Sequence, residues 1–144
     1  MKGYLLDINM LLALAWPNHL HHRSAHEWFA RESKRGWGTC SVTQLGFVRI
    51  SSYPAFEHHV SAQEAFQKLK EIAAVPGHIF WPEPADGYAS ESLSQVVPKI
   101  LTHSMVTDGF LAGVAKFNGG KLATFDKALA RAFPDGCVLV GAAR

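Results

Sequence analysis

Short apolar runs alternate along this chain with longer stretches in which apolar residues recur every three or four positions. The first habit belongs to buried strands and the second to amphipathic helices, so the succession predicts a βαβα chain, a parallel sheet covered by helices. The first strand runs from about Gly3 to Leu6, and the short helical piece after it is closed by Trp16-Pro17-Asn18. His22 to Ser33 reads as a helix with Ala25, Trp28 and Phe29 on one face. Gly36-Trp37-Gly38-Thr39-Cys40 is a turn leading into a short second strand. A helix from about Val42 to Ser51 then turns Leu45, Val48 and Phe47 inward. Ser61-Ala62-Gln63-Glu64 has the form of a capping box, which starts a helix over Ala62 to Ala74. Pro76-Gly77 ends it, and Ile79-Phe80-Trp81 is the third strand. Between Pro82 and Ser104 the pattern is weakest, with a helix expected around Ala85 to Leu93 and interrupted beyond by Pro98. Met105 to Phe117 is helical and stops at Asn118-Gly119-Gly120. Lys121 to Thr124 and Cys137 to Val140 supply strands four and five.

At 144 residues the chain suits one domain, residues 1 to 144, that buries roughly 70% of the surface its unfolded form exposes. The 48% hydrophobic and 18% charged composition is that of a globular protein. Met10 to Ala15 is the longest apolar run, far short of the ~20 residues that cross a bilayer. The N-terminal run carries Asp7 and Asn9 and is followed by no small-residue cleavage site, so a cytoplasmic protein is expected. In that compartment Cys40 and Cys137 are expected as buried thiols rather than a disulfide. A net charge of +2, scattered along the chain, tolerates a polyanionic substrate without arguing for one.

The chemistry is carried by acids. Asp7 ends the apolar run Tyr4-Leu5-Leu6, Asp108 stands in Val106-Thr107-Asp108-Gly109-Phe110, and Asp126 closes Leu122-Ala123-Thr124-Phe125. An unpaired carboxylate is costly in such settings. In open parallel sheets ligands gather at the carboxyl ends of the strands, where the N-termini of the following helices also lie. Asp7 and Asp126 belong to strand ends, and Asp108 and Gln44 to first helical turns, so four segments distant in sequence aim at one edge. Three carboxylates brought together repel, and a hard divalent cation relieves that repulsion through oxygen ligation. Mg²⁺ or Mn²⁺ so held fits hydrolysis of a phosphodiester by an activated water.

With these motifs in view, the chain resembles the PIN-domain ribonucleases, and more closely the VapC toxins of bacterial toxin–antitoxin pairs. The resemblance runs nearly end to end. It is carried by Leu5-Leu6-Asp7-Ile8-Asn9-Met10-Leu11-Leu12, by Thr39-Cys40-Ser41-Val42-Thr43-Gln44-Leu45-Gly46-Phe47-Val48-Arg49, by Val106-Thr107-Asp108-Gly109-Phe110, and by Leu122-Ala123-Thr124-Phe125-Asp126. It implies a three-layer α/β/α sandwich on a five-stranded parallel sheet. It also implies Mg²⁺- or Mn²⁺-dependent cleavage of tRNA or ribosomal RNA, a homodimer, and neutralisation by a VapB-type antitoxin. Under the resemblance Asp7, Asp108 and Asp126 are metal ligands, Asn9 orients Asp7 by a hydrogen bond, and Thr107 and Thr124 are hydroxyl donors behind the carboxylates. Arg49 is a candidate phosphate contact. The chain departs from the family at Gln44, where Glu is frequent: an amide adds neither charge nor a base. Gly109, where Ala is common, weakens the start of its helix.

Other readings fare worse. A PIN-fold binding module with impaired catalysis, acting through its antitoxin, rests on Gln44 alone. A phosphohydrolase using Asp7 as a covalent nucleophile needs a second Asp two residues on, and Asn9 stands there. His22 and His26 have helical spacing but lack the Glu of a zinc protease, and the loop histidines His19 and His21 read as solvated. Gly119-Gly120-Lys121 precedes Leu122 rather than the Ser or Thr of a phosphate-binding loop.

Overall fold

The computed structural model describes residues 2 to 141. Its five strands, all parallel, are β1 (Tyr4–Leu6), β2 (Trp37–Thr39), β3 (His78–Phe80), β4 (Lys121–Thr124) and β5 (Cys137–Leu139), ordered β3-β2-β1-β4-β5. Seven α-helices connect them among the described residues: α1 (Ile8–Ala15), α2 (His22–Glu32), α3 (Ser41–Ser51), α4 (Ala62–Ala73), α5 (Glu91–Ser94), α6 (Val106–Phe117) and α7 (Lys127–Ala132). The expected α/β sheet is present.

The central strands β1 and β4 serve two cores, because successive side chains leave opposite faces of the sheet. Tyr4 and Leu6 of β1 and Ala123 of β4 enter a core with Met10, Leu11, Trp28, Phe47 and Leu69, contributed by α1 to α4. Leu5 and Leu122 enter the other, with Leu93, Leu111, Val114 and Leu129 from α5 to α7. A sheet covered on both faces is why its strands read as unbroken apolar runs instead of alternating ones.

Most expected elements are found within a residue or two. The capping box of α4 forms, with Ser61 Oγ accepting from Glu64 N at 3.0 Å. Three expectations need correction. In α3 the buried positions are Thr43, Gly46, Phe47 and Ser51, while Leu45 is 69% exposed. The helix rotates so that Phe47 can stack on Trp16, with ring centroids 5.9 Å apart, and this turns Leu45 to solvent. The helix expected over Ala85 to Leu93 is two pieces, a 3₁₀ turn at Gly87–Ala89 and then α5, because Ser90 adopts an extended backbone and caps Leu93 N. Strand three begins at His78 and ends at Phe80 rather than Trp81, although Trp81 N still donates to Thr39 O at 2.7 Å.

Candidate active site

The strand order places one topological switch in the sheet. The chain winds from β1 outward to β3 on one side, then restarts at β4 beside β1. The carboxyl ends of β1 and β4 diverge there and leave a crevice between their following segments. Register pairs Leu6 with Ala123, so the next residues, Asp7 and Thr124, face each other across the gap. Asp7 N donates to Ala123 O at 3.2 Å, holding the pair of strands together up to the acid itself.

Each acid is held by local structure. Asp7 is the N-cap of α1, its Oδ1 accepting from Met10 N at 2.7 Å. Asp126 is the N-cap of α7, with Oδ1 accepting from Leu129 N at 3.1 Å, and its own N–H donates to Thr124 Oγ1 at 3.0 Å. Asp108 lies in the first turn of α6, where the helix dipole favours a negative charge. All three line one open cleft of about 470 Å³ with Ile8, Asn9, Leu12, Arg49, Ile50, Phe56, Thr107 and Thr124.

The electrostatics of this cleft are unbalanced. Burial, above all, pushes the Asp7 carboxyl up to about 7; Asp108 and Asp126 push the same way, against the Thr124 hydroxyl and the Met10 amide. Burial and Asp126 also raise Asp108. Cys137, buried behind them, is driven up to about 12 by burial and then by the same three acids. The ion pairs of the described residues are formed elsewhere, on α2, α4 and the loop at Glu57, and none involves these carboxylates. Among the described residues no three His, Cys, Asp or Glu side chains close into a ready-made cage. The donor set nonetheless fits a hard divalent cation: three carboxylates in no ion pair among the described residues, one of them buried, on the wall of a solvent-open cleft.

Of the residues singled out in the sequence, the structure gathers Asp7, Asn9, Arg49, Thr107, Asp108, Thr124 and Asp126 at this cleft and leaves Gln44 off its lining. The Gln44 amide is engaged at the end of β2, where Nε2 donates to Thr39 Oγ1 at 3.0 Å. Thr39 is fully buried and its hydroxyl also meets His78 Nε2 at 2.7 Å. An amide can donate to that hydroxyl and a carboxylate cannot. A carboxylate here could pair with Thr39 only by accepting the hydroxyl proton, so the departure from Glu removes a charge and reverses the direction of this hydrogen bond. Asn9 is corrected too: its Oδ1 lies 2.8 Å from His19 Nε2 and does not hold Asp7, which is oriented from Met10 and Thr124.

His19, read from the sequence as solvated, is therefore tied to a residue of the cleft. The only hint was the turn Trp16-Pro17-Asn18, which folds the loop back over α1. His22 Nδ1 and His26 Nε2 sit 2.7 and 2.8 Å from the carbonyls of Ala13 and Leu14, satisfying acceptors that α1 leaves open at its C-terminus.

An all-parallel β3-β2-β1-β4-β5 sheet with acids at its switch point is the architecture of the PIN-domain class. Two solved structures share the fold. PAE2754 from Pyrobaculum aerophilum superposes with a TM-score of 0.60 at 23% identity, covering 96% of this chain and 89% of that one. VapBC2 from Rickettsia felis, bound to a DNA fragment from their promoter, gives 0.63 at 16% identity, covering 94% and 96%. No family model matches the chain. Curated relatives are more specific. Ribonuclease VapC39 of Mycobacterium tuberculosis is 38% identical over 137 residues, spanning 94% of this chain and 97% of its own length. Ribonuclease VapC38 of the same organism is 37% identical over 123 residues, 85% of this chain and 84% of that one, and ribonuclease VapC44 is 35% identical over 128 residues. This chain belongs to the VapC ribonuclease family.

Proposed function

We propose that the protein is the toxin of a VapBC pair, an endoribonuclease that hydrolyses RNA phosphodiester bonds with Mg²⁺ or Mn²⁺ held by Asp7, Asp108 and Asp126. The observation that carries this is the convergence on one cleft, at the switch point of the sheet, of three carboxylates that form no ion pair among the described residues. A bound divalent ion supplies Lewis acidity toward a phosphoryl oxygen and a source of hydroxide near neutral pH. The chain's own part is positional. Met10 N and the Thr124 hydroxyl hold Asp7, Leu129 N holds Asp126, and α6 presents Asp108 from its first turn. Arg49 brings a guanidinium to the same cleft, suited to a phosphate because it is charged and planar. Relatives named as ribonucleases support RNA as the substrate class, and the solved VapBC2 complex supports a VapB-type antitoxin as partner. Exposed Leu20, Leu45, Tyr53 and Phe66 offer apolar surface for such a partner or for a second copy. No helix among the described residues is long and apolar enough to cross a membrane, in keeping with a proposed cytoplasmic site of action.

The test is cleavage of total RNA by purified protein freed of antitoxin. Fragments should appear with Mg²⁺ or Mn²⁺, vanish with a chelator, and return when either metal is restored. A protein that cleaves equally well in excess chelator refutes the metal assignment. Gln44 gives a second reading of the same assay. Because it faces Thr39 and not the cleft, Gln44→Ala should keep cleavage within about threefold of wild type, the scale of an indirect effect of ~0.6 kcal/mol. A hundredfold loss would return Gln44 to the site. A wild type that is silent until Gln44→Glu is introduced would favour the impaired binding module instead.

A further inference from the structure

Asn9 stands in the first turn of α1, exposed, on the wall of the acid-lined cleft. Its amide has an oxygen that accepts and a nitrogen that donates twice. Which end faces the cleft decides what it can bind, and a chain of hydrogen bonds settles the matter. The backbone N–H of His21 donates to His19 Nδ1 at 3.0 Å. A peptide N–H can only donate, so Nδ1 carries no proton and Nε2 of the neutral ring must carry it. Burial, with His21 and His22 nearby, lowers the pKa of His19 and favours that neutral ring. Nε2–H therefore donates to Asn9 Oδ1, 2.8 Å away. The reversed amide would set donor against donor. With its oxygen spent on His19, Asn9 keeps two amide hydrogens, and no side-chain hydrogen bond found among the described residues uses them.

The residue that carries those hydrogens lines the same cleft as the three carboxylates. A lysine in that position would pair with the acids and compete with any cation they hold; a neutral amide donates to an anion without doing so. Among the described residues Arg49 is the sole cationic side chain on the cleft wall, so a phosphodiester entering this negative field needs further donors that carry no charge.

We propose that Asn9 donates its Nδ2 hydrogens to a non-bridging oxygen of the RNA phosphodiester, and that His19 is the positioning residue that fixes the amide in this orientation. The proposal rests on the endonuclease reading above and adds a substrate contact to it. It turns a loop histidine and a residue expected merely to brace Asp7 into one device.

Steady-state cleavage of a short RNA in Mg²⁺ tests it. Loss of a hydrogen bond to a charged group is worth about tenfold or more in binding, so Asn9→Ala should raise KM by about that factor with kcat much less changed. Asn9→Asp retains the acceptor that His19 needs but donates nothing, and its KM should rise at least as far. His19→Ala should raise KM, His19→Gln should restore part of the loss by donating an amide hydrogen to Asn9 Oδ1, and the Asn9→Ala/His19→Ala pair should be no worse than Asn9→Ala alone. A wild-type KM in Asn9→Asp overturns the donor role. Additive effects of the two alanines overturn the positioning role. An active wild type with either result leaves the endonuclease standing, whereas a wild type that cleaves no RNA overturns both readings together.

Discussion

Asp7→Asn is expected to abolish metal-dependent RNA cleavage, by at least about a hundredfold, while making the metal-free protein more stable. The activity loss follows from removing one of three charged oxygen donors from a centre whose ion supplies several kcal/mol of charge stabilisation. The gain in stability follows from burial. Asp7 is 4% exposed, and its carboxyl is pushed up to about 7 chiefly by loss of solvent. In the unfolded chain it titrates near 4. Between about pH 4 and 7 the native state keeps a proton that the unfolded state has released, so stability falls as pH rises through that window and levels off above it. The cost at neutral pH is on the order of 4 kcal/mol. Asparagine is as good an N-cap as aspartate and still accepts from Met10 N, so the local fold loses nothing. Denaturant midpoints in chelator at pH 4.5 and 7.5 check this: wild type should lose stability toward pH 7.5 and Asp7→Asn much less. Mg²⁺ should stabilise wild type by mass action and Asp7→Asn weakly. A variant less stable than wild type at pH 7.5 in chelator would contradict the view that Asp7 is an uncompensated charge.

Gly38→Ala is expected to be the most damaging single-methyl change in the sheet. Gly38 lies in β2, paired with Leu5 on one side and Ile79 on the other. A Cβ there would collide with the Ile79 carbonyl oxygen and with the Trp81 indole. Trp81 is a fully buried side chain, and a Cβ on Gly120 would strike it as well, so the indole fills space left free by two glycines. Backbone cannot yield as a flexible side chain can, and overpacking of this kind costs about 3 kcal/mol. For a chain of this size that lowers the melting temperature by roughly 6–12 °C. Gly136→Ala is the control, since its Cβ would meet Phe133 Cβ at an ordinary 3.6 Å. A melting temperature for Gly38→Ala within a degree of wild type would mean that β2 and β3 do not approach as closely as the sheet shows. Molecules that remain folded should cleave normally, because Asp7 and Asp126 follow β1 and β4 and Asp108 stands on α6, none of them on β2.

Much of this architecture was legible in the chain. Buried strands of three or four residues announced themselves as apolar runs because both faces of the sheet are covered, and α4 was readable to its cap because Ser61 and Glu64 meet across one turn. The rotation of α3 was not, since Leu45 and Phe47 are equally apolar and only the stacking of Trp16, contributed by the loop after α1, selects Phe47. The break before α5 was equally hidden, because Ser90 leaves the helix only when its hydroxyl caps Leu93.

The site divides in the same way. Acids interrupting apolar runs are costly wherever the chain puts them, so Asp7, Asp108 and Asp126 were identifiable before any contact was known, and the alternation of strands and helices already placed them along one edge. What only the tertiary structure decided is how the other polar groups are spent: the amides of Asn9 on His19 and of Gln44 on Thr39, and the Arg49 guanidinium on the cleft. Burial energy scales with surface and can be read from residue type and period. A hydrogen bond depends on a few tenths of an ångström between groups ten or more residues apart, or on which of two nearby acceptors an amide meets, and no local pattern in the sequence carries that distance.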